Sequence, residues 1–164
     1  MLLNISSLFK NSDLCLDFDD EIEIDNSQFN HKVVTFSKPV KVSGTVKNVG
    51  GVLILKQTVS GEYETFCDRC MEPVTEEINI EFEENFVKEL SADDDTANIL
   101  ENENIDVSDI TFRNIFSEIP LKHLCNDECK GICHNCGANL NISQCSCENE
   151  EWNPQFEILK HLFD

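Results

Sequence analysis

The chain has 164 residues, of which 12 are Lys or Arg and 32 are Asp or Glu, so its formal net charge is −20. This charge argues against a general nucleic-acid binder, because such proteins contact phosphate groups through a basic face. No apolar run approaches the ~18 residues of a membrane-spanning helix, and the first residues lack the basic and apolar regions of a secretory signal. We therefore expect a cytoplasmic protein with no membrane contact, built as one domain or as one domain with an appended module.

Alternating apolar and polar residues over the first ninety positions predict antiparallel strands with one face packed inward. The first alternation covers 14–24, where Asp20 breaks the apolar row, so a bulge is expected there. A second alternation runs through 40–59 and is divided by the turn sequence NVGG. A third covers 74–86 and keeps its apolar residues largely on one parity. These patterns predict a β-rich body.

The second half of the chain predicts helices. Residues 107–119 carry apolar side chains at helical spacing, and Pro120 ends the pattern. A short terminal helix is expected to begin at Asn153, which is a good N-cap followed by proline. The acidic segment 89–104 is typical of a mobile loop or linker. The predicted fold class is α+β, an antiparallel β-rich body with a helix, a C-terminal Cys-rich zinc module and a short terminal helix.

Eight of the nine cysteines are clustered. In a reducing compartment, clustered thiols are more often metal ligands or redox groups than disulfides. Cys15 stands apart and is expected to be a small, half-buried strand residue. The other eight thiolates suffice for two four-sulfur zinc sites. The predicted zinc ligands are Cys67, Cys70, Cys125, Cys129, Cys133, Cys136, Cys145 and Cys147.

The order of these cysteines divides them between two sites. The sequence CHNCG at 133–137 is typical of a zinc knuckle, in which two sulfurs reach one metal and the glycine permits a tight turn. The CSC pair at 145–147 can fold back to complete that site. The other site then joins Cys125 and Cys129 to the upstream CDRC pair. An alternative places Cys125 or Cys129 in the local cluster and leaves the CDRC pair short of ligands. The expected division is a body at 1–124 and a zinc module at 125–164, with the terminal helix packed on the body.

Catalysis is less favoured than a structural role. A thioredoxin-type thiol lies at a helix N-terminus, whereas CDRC lies between two predicted strands. A catalytic zinc keeps an open position, and His123 or His134 could replace a thiolate. Eight available cysteines favour closed sites, and no general base is evident. We therefore expect a protein that is not an enzyme and has no small-molecule substrate, with a thiol redox protein as the alternative.

Four segments occur in order along nearly the whole chain: CDRCMEPV, IPLKHLC, CKGICHNCGANLN with a closing C-x-C pair, and NPQFEILKHL. Together they resemble the YceD family of large ribosomal RNA subunit accumulation proteins. The resemblance implies a non-enzymatic role in large-subunit ribosomal RNA accumulation and ribosome biogenesis. Some relatives keep the upstream cysteine pair but lack much of the later cluster. The resemblance therefore also implies that the site shared with the CDRC pair is the core one.

The expected partner must satisfy both the resemblance and the charge. The resemblance points to ribosomal RNA, whereas the net charge points away from phosphate. The predicted partner is large-subunit ribosomal RNA and/or a basic ribosomal protein in an assembling particle. The alternative function of this chain is that of an acidic chaperone-like adaptor for such a ribosomal protein. The lysines of 31–57, a range without acids, form either a solvated strand face or an RNA-docking strip. The residues assigned to the protein-facing and RNA-facing surfaces are Glu81, Glu83 and Glu84, and Lys38, Lys41 and Lys47, respectively.

Overall fold

The α+β fold class is confirmed by the structure, a computed structural model. The residues that it describes are 1–11, 14–29, 34–88, 98–100 and 102–147. The predicted terminal helix lies outside them. The helices and strands are β1 (Leu2–Asn4), α1 (Ser6–Lys10), β2 (Cys15–Ile22), a 3-10 helix (Asn26–Phe29), β3 (Val40–Val49), β4 (Val52–Phe66), β5 (Pro73–Val87), β6 (Asn98–Ile99), β7 (Asn104–Asp106) and α2 (Val107–Glu118).

The main sheet has five strands in the order β2-β3-β4-β5-β6. Its long hairpin pairs β4 with β5 from Leu53 opposite Phe86 to Phe66 opposite Pro73. The turn between β3 and β4 places Gly50 and Gly51 at φ +63° and +94°. Such a two-residue turn needs left-handed backbone, which glycine adopts at little cost, so the predicted NVGG turn is confirmed. The hairpin arms converge on the CDRC segment.

The edge strand β2 corrects two expectations. It pairs residue for residue with β3, from Cys15 opposite Lys47 to Ile22 opposite Val40, so the predicted bulge at Asp20 is wrong. Asp20 keeps the apolar parity, but its side chain is exposed at the sheet edge, where a carboxylate can stay hydrated without an inserted residue. Cys15 begins the strand and is exposed rather than half-buried.

The N-terminal segment, for which no element was predicted, contributes to the core. Strand β1 pairs with β7 in a separate two-stranded sheet, and Ile5 and Leu8 are fully buried. The predicted linker 89–104 is also structured at its end, since β6 pairs in parallel with β5 and β7 begins at Asn104. Residues 89–97 and 101 of that linker lie outside the described residues. These pairings join distant segments, which a local periodicity does not report.

The helix α2 leads the chain from the sheet to the cysteine segment. Asp106 caps its first turn by accepting hydrogen bonds from the N–H groups of Ser108 and Asp109. Ile119 adopts an extended ψ of 120°, as expected of a residue before proline. No described helix is long and apolar enough to cross a membrane. The buried residues of α2 include Val107, Ile110 and Ile115, which confirms the predicted apolar stripe.

Candidate metal centres and acidic groove

Four sulfur atoms meet where the β4–β5 hairpin ends. Cys67 and Cys70 lie between these strands, and Cys125 and Cys129 lie on the segment after α2. Their Sγ atoms all lie within 4.8 Å of one another, with 3.8 Å between Cys67 and Cys129 and 3.6 Å between Cys70 and Cys125. A tetrahedral zinc ion with Zn–S bonds of about 2.3 Å separates its sulfurs by about 3.8 Å. The spacing therefore fits a four-sulfur zinc site.

A second set of four sulfurs lies within the cysteine module, again with every pair within 4.8 Å. The structure thus groups the sulfurs as the spacing of the motifs predicts, and the alternative with Cys125 or Cys129 in the local cluster is not what it shows. Among the described residues, neither His123 nor His134 belongs to either set. The second set is Cys133, Cys136, Cys145 and Cys147.

The two knuckles have the same backbone turn. In each, the residue after the second cysteine donates its N–H to the carbonyl of the first cysteine, over 2.9 Å from Met71 to Cys67 and 2.8 Å from Gly137 to Cys133. This turn requires a left-handed backbone, with φ of +62° at Met71 and +73° at Gly137. Glycine adopts that conformation freely, whereas an L side chain costs about 1–2 kcal/mol. Met71 therefore carries strain that Gly137 does not.

We expect Met71→Gly to raise the free energy of unfolding by about 1 kcal/mol. The Met71 side chain is 62% exposed, so its removal loses little packing, while the backbone strain is relieved. Urea unfolding of the zinc-loaded protein measures the change. Leu121→Gly is the matched control, since Leu121 is 92% exposed and its φ is not positive, and it should not stabilise. A lower stability for Met71→Gly would contradict the strain argument.

A hydrogen-bonded group of side chains joins the first knuckle to the sheet. The backbone N–H of His123 donates to Asp68 Oδ2 over 2.7 Å, and the backbone N–H of Asp68 donates to the His123 carbonyl over 2.9 Å. His123 Nδ1 lies 3.0 Å from Glu76 Oε2, which also accepts the Tyr63 hydroxyl. Burial and the hydrogen bond to Glu76 raise the pKa of Tyr63, so it stays a donor. These hydrogen bonds therefore fix the position of the segment between α2 and Cys125.

Within each set, the surroundings lower the pKa of some thiols and raise the pKa of others. Burial raises the pKa of Cys67, but backbone hydrogen bonds outweigh it and lower this pKa to about 6. Backbone N–H groups of the second knuckle likewise lower the pKa of Cys133 to about 6. The hydrogen bond with Cys129, followed by burial, raises the pKa of Cys125 to about 12. Four thiols so close together can all be ionised only beside a cation, and a bound zinc ion would be that cation.

A groove of about 890 Å³ crosses the sheet face that carries the polar parity of β2–β5. Carboxylates from β2 and β5 flank it, and hydroxyl side chains of β3 and β4 lie between them. Lys56 also lines the groove and pairs with Glu83 at 2.8 Å. We call this feature the acidic groove. Its charged and hydroxyl side chains are Asp17, Asp19, Ser43, Thr45, Lys56, Thr58, Glu81 and Glu83.

The structure separates residues that the sequence had grouped. Glu84 lies on the other parity of β5 and accepts hydrogen bonds from Asn114 and Asn98 over 2.8 and 3.0 Å, so it does not extend the acidic groove. The four described lysines of 31–57, which are Lys38, Lys41, Lys47 and Lys56, do not form a continuous basic surface either. Lys38 pairs with Glu62 at 3.0 Å, and Lys41 lies opposite Glu21. The lysine strip is therefore interrupted by acids from neighbouring strands.

Comparisons with known proteins agree with these motifs. The family profile of "Large ribosomal RNA subunit accumulation protein YceD" matches residues 55–163, about two thirds of the chain. The chain is 38% identical over 58 residues to "Large ribosomal RNA subunit accumulation protein YCED homolog 1, chloroplastic" of Arabidopsis thaliana (35% of this chain, 18% of the relative). It is 49% identical over 45 residues to the protein of the same name from Zea mays (27% and 15%).

A third similarity covers more of the chain. An uncharacterized protein of Mycobacterium bovis is 27% identical over 122 residues, which are 71% of this chain and 58% of that protein. The matches thus span less than a fifth of the two plant relatives and little more than half of the mycobacterial one. No solved structure matches the chain significantly. Because the profile covers both cysteine sets and α2, the chain belongs to the YceD family of large ribosomal RNA subunit accumulation proteins.

Proposed function

We propose that this chain is a non-enzymatic zinc protein that acts by binding in large-subunit ribosomal RNA accumulation. The two four-sulfur sets would each hold one zinc ion as a structural site. Four sulfurs complete a tetrahedral zinc shell and leave no open position for a substrate or a water nucleophile. Bound zinc contributes folding energy, and its loss exposes thiols to oxidation, so the proposal includes a reducing compartment such as the cytoplasm.

The first site would tie the β4–β5 hairpin to the end of α2, and the second would fold the cysteine module. This makes 1–124 the body and 125–164 the module, as the sequence predicts. The redox alternative is disfavoured by the grouping of the sulfurs, because four of them meet in each set, whereas a redox site needs only one reactive pair. A thiol redox protein would instead place one reactive pair at an exposed helix N-terminus.

The acidic groove is the observation that carries the partner class. Asp17 and Asp19 line one side and Glu81 and Glu83 the other, with Lys56 as the basic residue among its lining. Phosphate groups are repelled by such a surface, whereas a Lys- or Arg-rich segment complements it. Since the family description names large ribosomal RNA, the partner that satisfies both is a basic ribosomal protein, alone or where it meets RNA in an assembling particle.

Neutralising the acidic groove should slow binding of a basic ribosomal protein by about tenfold at low salt and weaken the salt dependence of the association rate. The test variant carries Asp17→Asn, Asp19→Asn, Glu81→Gln and Glu83→Gln. Stopped-flow mixing at two salt concentrations measures the rate. The reason for a rate effect is that exposed ion pairs add little affinity each, while a field of one sign accelerates encounter.

The matched control neutralises four exposed acids outside the acidic groove. Its association rate should stay close to that of the unchanged protein. Equal slowing in both variants would mean that net charge alone matters and would refute the groove as the contact. The control substitutions are Glu103→Gln, Glu118→Gln, Asp127→Asn and Glu128→Gln.

Direct RNA docking through Lys38, Lys41 and Lys47 is the second candidate. The acids interleaved with these lysines disfavour it, so we expect naked ribosomal RNA to bind only at nonspecific strength, roughly 10⁻⁴ to 10⁻⁶ M. Replacing the three lysines with alanine should leave the fold intact and weaken particle binding only modestly. Tight, sequence-specific binding to an isolated ribosomal RNA fragment at physiological salt would contradict the choice of a protein partner.

A further inference from the structure

One side chain contacts both cysteine sets. Asn141 lies on the loop between Cys136 and Cys145, and both ends of that loop belong to the second set. Its Nδ2 lies 3.3 Å from the Sγ of Cys129, which belongs to the first set. The position of this amide therefore depends on the closure of one site, while its hydrogen bond ends on the sulfur of the other.

Hydrogen bonds to both its oxygen and its nitrogen determine the orientation of the Asn141 amide. Oδ1 accepts the Lys130 N–H over 2.8 Å. Nδ2 donates to Asn139 Oδ1 over 2.9 Å as well as to Cys129. Since one amide has two N–H donors and one carbonyl acceptor, these three contacts assign it without ambiguity. The amide therefore presents an N–H group, and not its oxygen, to the sulfur.

Both the loop that carries Asn141 and the segment before Cys133 are also attached to the first knuckle. Asn139 donates to Glu72 Oε1 over 3.2 Å, and the Ile132 N–H donates to the Arg69 carbonyl over 3.0 Å. Movement of the segment that carries the second sulfur set would therefore change contacts with the first knuckle. Of these links, only the one from Asn141 reaches a sulfur.

We propose that Asn141 couples the two metal sites, so that closing the second site around its metal aims the amide at Cys129 and tightens metal binding at the first site. This inference rests on the zinc sites proposed above. A hydrogen bond from a neutral N–H to a metal-ligating sulfur fixes the orientation of that sulfur and stabilises the negative charge that it carries in the complex. By linkage, metal at the first site tightens the second by the same factor.

The surroundings of Cys129 agree with this role. The Cys129 side chain is buried, so water cannot easily replace the N–H of Asn141 at its sulfur. Loss of a hydrogen-bonding partner of a metal ligand typically weakens metal binding 10–100-fold. We expect the coupling to lie near the lower end of that range, because the Asn141 side chain is exposed to water.

The experiment follows zinc release from the first site to a chromogenic chelator. In the full-length chain, the second site is disabled by Cys145→Ser with Cys147→Ser, and release is compared with that of the unchanged protein. The same comparison is made in an Asn141→Asp background, which keeps the acceptor for Lys130 but removes the donor. Asn126→Asp is the matched control, since Asn126 Nδ2 lies 3.4 Å from Cys125 Sγ but Asn126 is not on the loop between Cys136 and Cys145.

Disabling the second site should speed release from the first about tenfold in the unchanged protein and in Asn126→Asp. It should have almost no effect in Asn141→Asp, which is already fast. An equal effect in all three backgrounds would overturn the role of Asn141, and no effect in the unchanged protein would overturn the coupling itself. A chain that binds no zinc at all would instead refute the proposed metal sites, so the two failures are distinguishable.

A second comparison needs no cysteine substitution and covers the case in which the double serine variant fails to fold. In otherwise unchanged chains, chelator competition measures the zinc affinity of each site while the other site is loaded. Asn141→Asp should weaken zinc binding at both sites, whereas Asn126→Asp should weaken it at the first site only. If Asn141→Asp leaves the zinc affinity of the second site unchanged, the reciprocity that coupling demands is absent and the proposal is wrong.

Discussion

Cys67→Ser is expected to abolish cooperative folding of the body. Structural zinc contributes apparent binding energies of roughly 10–16 kcal/mol in finger peptides, as much as the whole stability of a typical domain, about 5–15 kcal/mol. Cys67 is fully buried and packs with Cys70 and Cys129 in a cluster supported by Val74 and Leu124. Serine there leaves three sulfurs and a buried hydroxyl. Circular dichroism and urea unfolding of the purified variant measure the loss.

Cys15→Ser is the control for this substitution. Cys15 is exposed at the start of β2 and lies outside both sulfur sets, so zinc content and unfolding midpoint should not change. A Cys67→Ser variant that unfolds like the Cys15→Ser variant would show that the first set does not stabilise the body.

Cys145→Ser should have the second largest effect, but a local one. The variant should lose one zinc ion and the order of the module, while hydrogen exchange in β3, β4 and β5 stays slow. Loop length does not decide the difference, because closing 62 rather than 14 residues differs by only about 1 kcal/mol. The decisive factor is what each site ties together. The first site joins a hairpin to α2, whereas the second joins parts of one loop whose Cys136 is exposed and whose Cys145 is half-buried.

Hydrogen exchange with mass spectrometry separates these outcomes by segment. Protection should vanish within 133–147 and persist in the sheet, with a modest increase in exchange near Cys129 if Asn141 couples the sites. Global loss of protection, equal to that of Cys67→Ser, would contradict the separation of a core site from a local one.

The parts of the fold that the sequence predicted are those with local signals. The β3–β4 turn follows from Gly50 and Gly51, because two left-handed positions in a row need glycine. The division of the cysteines follows from motif spacing, since a C-x-x-C pair can reach only one metal. The end of α2 follows from Pro120, which restricts the residue before it.

The parts that the sequence did not predict depend on distant contacts. Strand β1 has three residues and pairs with β7 about a hundred residues away, so no periodic pattern marks it. The expected bulge at Asp20 failed because an edge strand tolerates an exposed acid on its apolar parity. Asn141 looked like an ordinary loop residue in GANLN, since its contact with Cys129 exists only once the module is folded against the first knuckle.

The same reason explains the partner surface. Glu81, Glu83 and Glu84 are neighbours in sequence, but strand alternation sends Glu84 to the opposite face, where Asn114 binds it. Asp17 and Asp19 of β2 join Glu81 and Glu83 only across the width of the sheet. The order of charged residues along the sequence therefore indicates an acidic surface but does not show which acids share it.

The metal content of the native protein tests the central claim most directly. Elemental analysis of protein purified without added metal, together with X-ray absorption at the zinc edge, should give two zinc ions per chain, each with four sulfur neighbours at about 2.3 Å. Less than one metal ion per chain, with the eight clustered thiols open to alkylation, would contradict both sites and the account of the fold that depends on them.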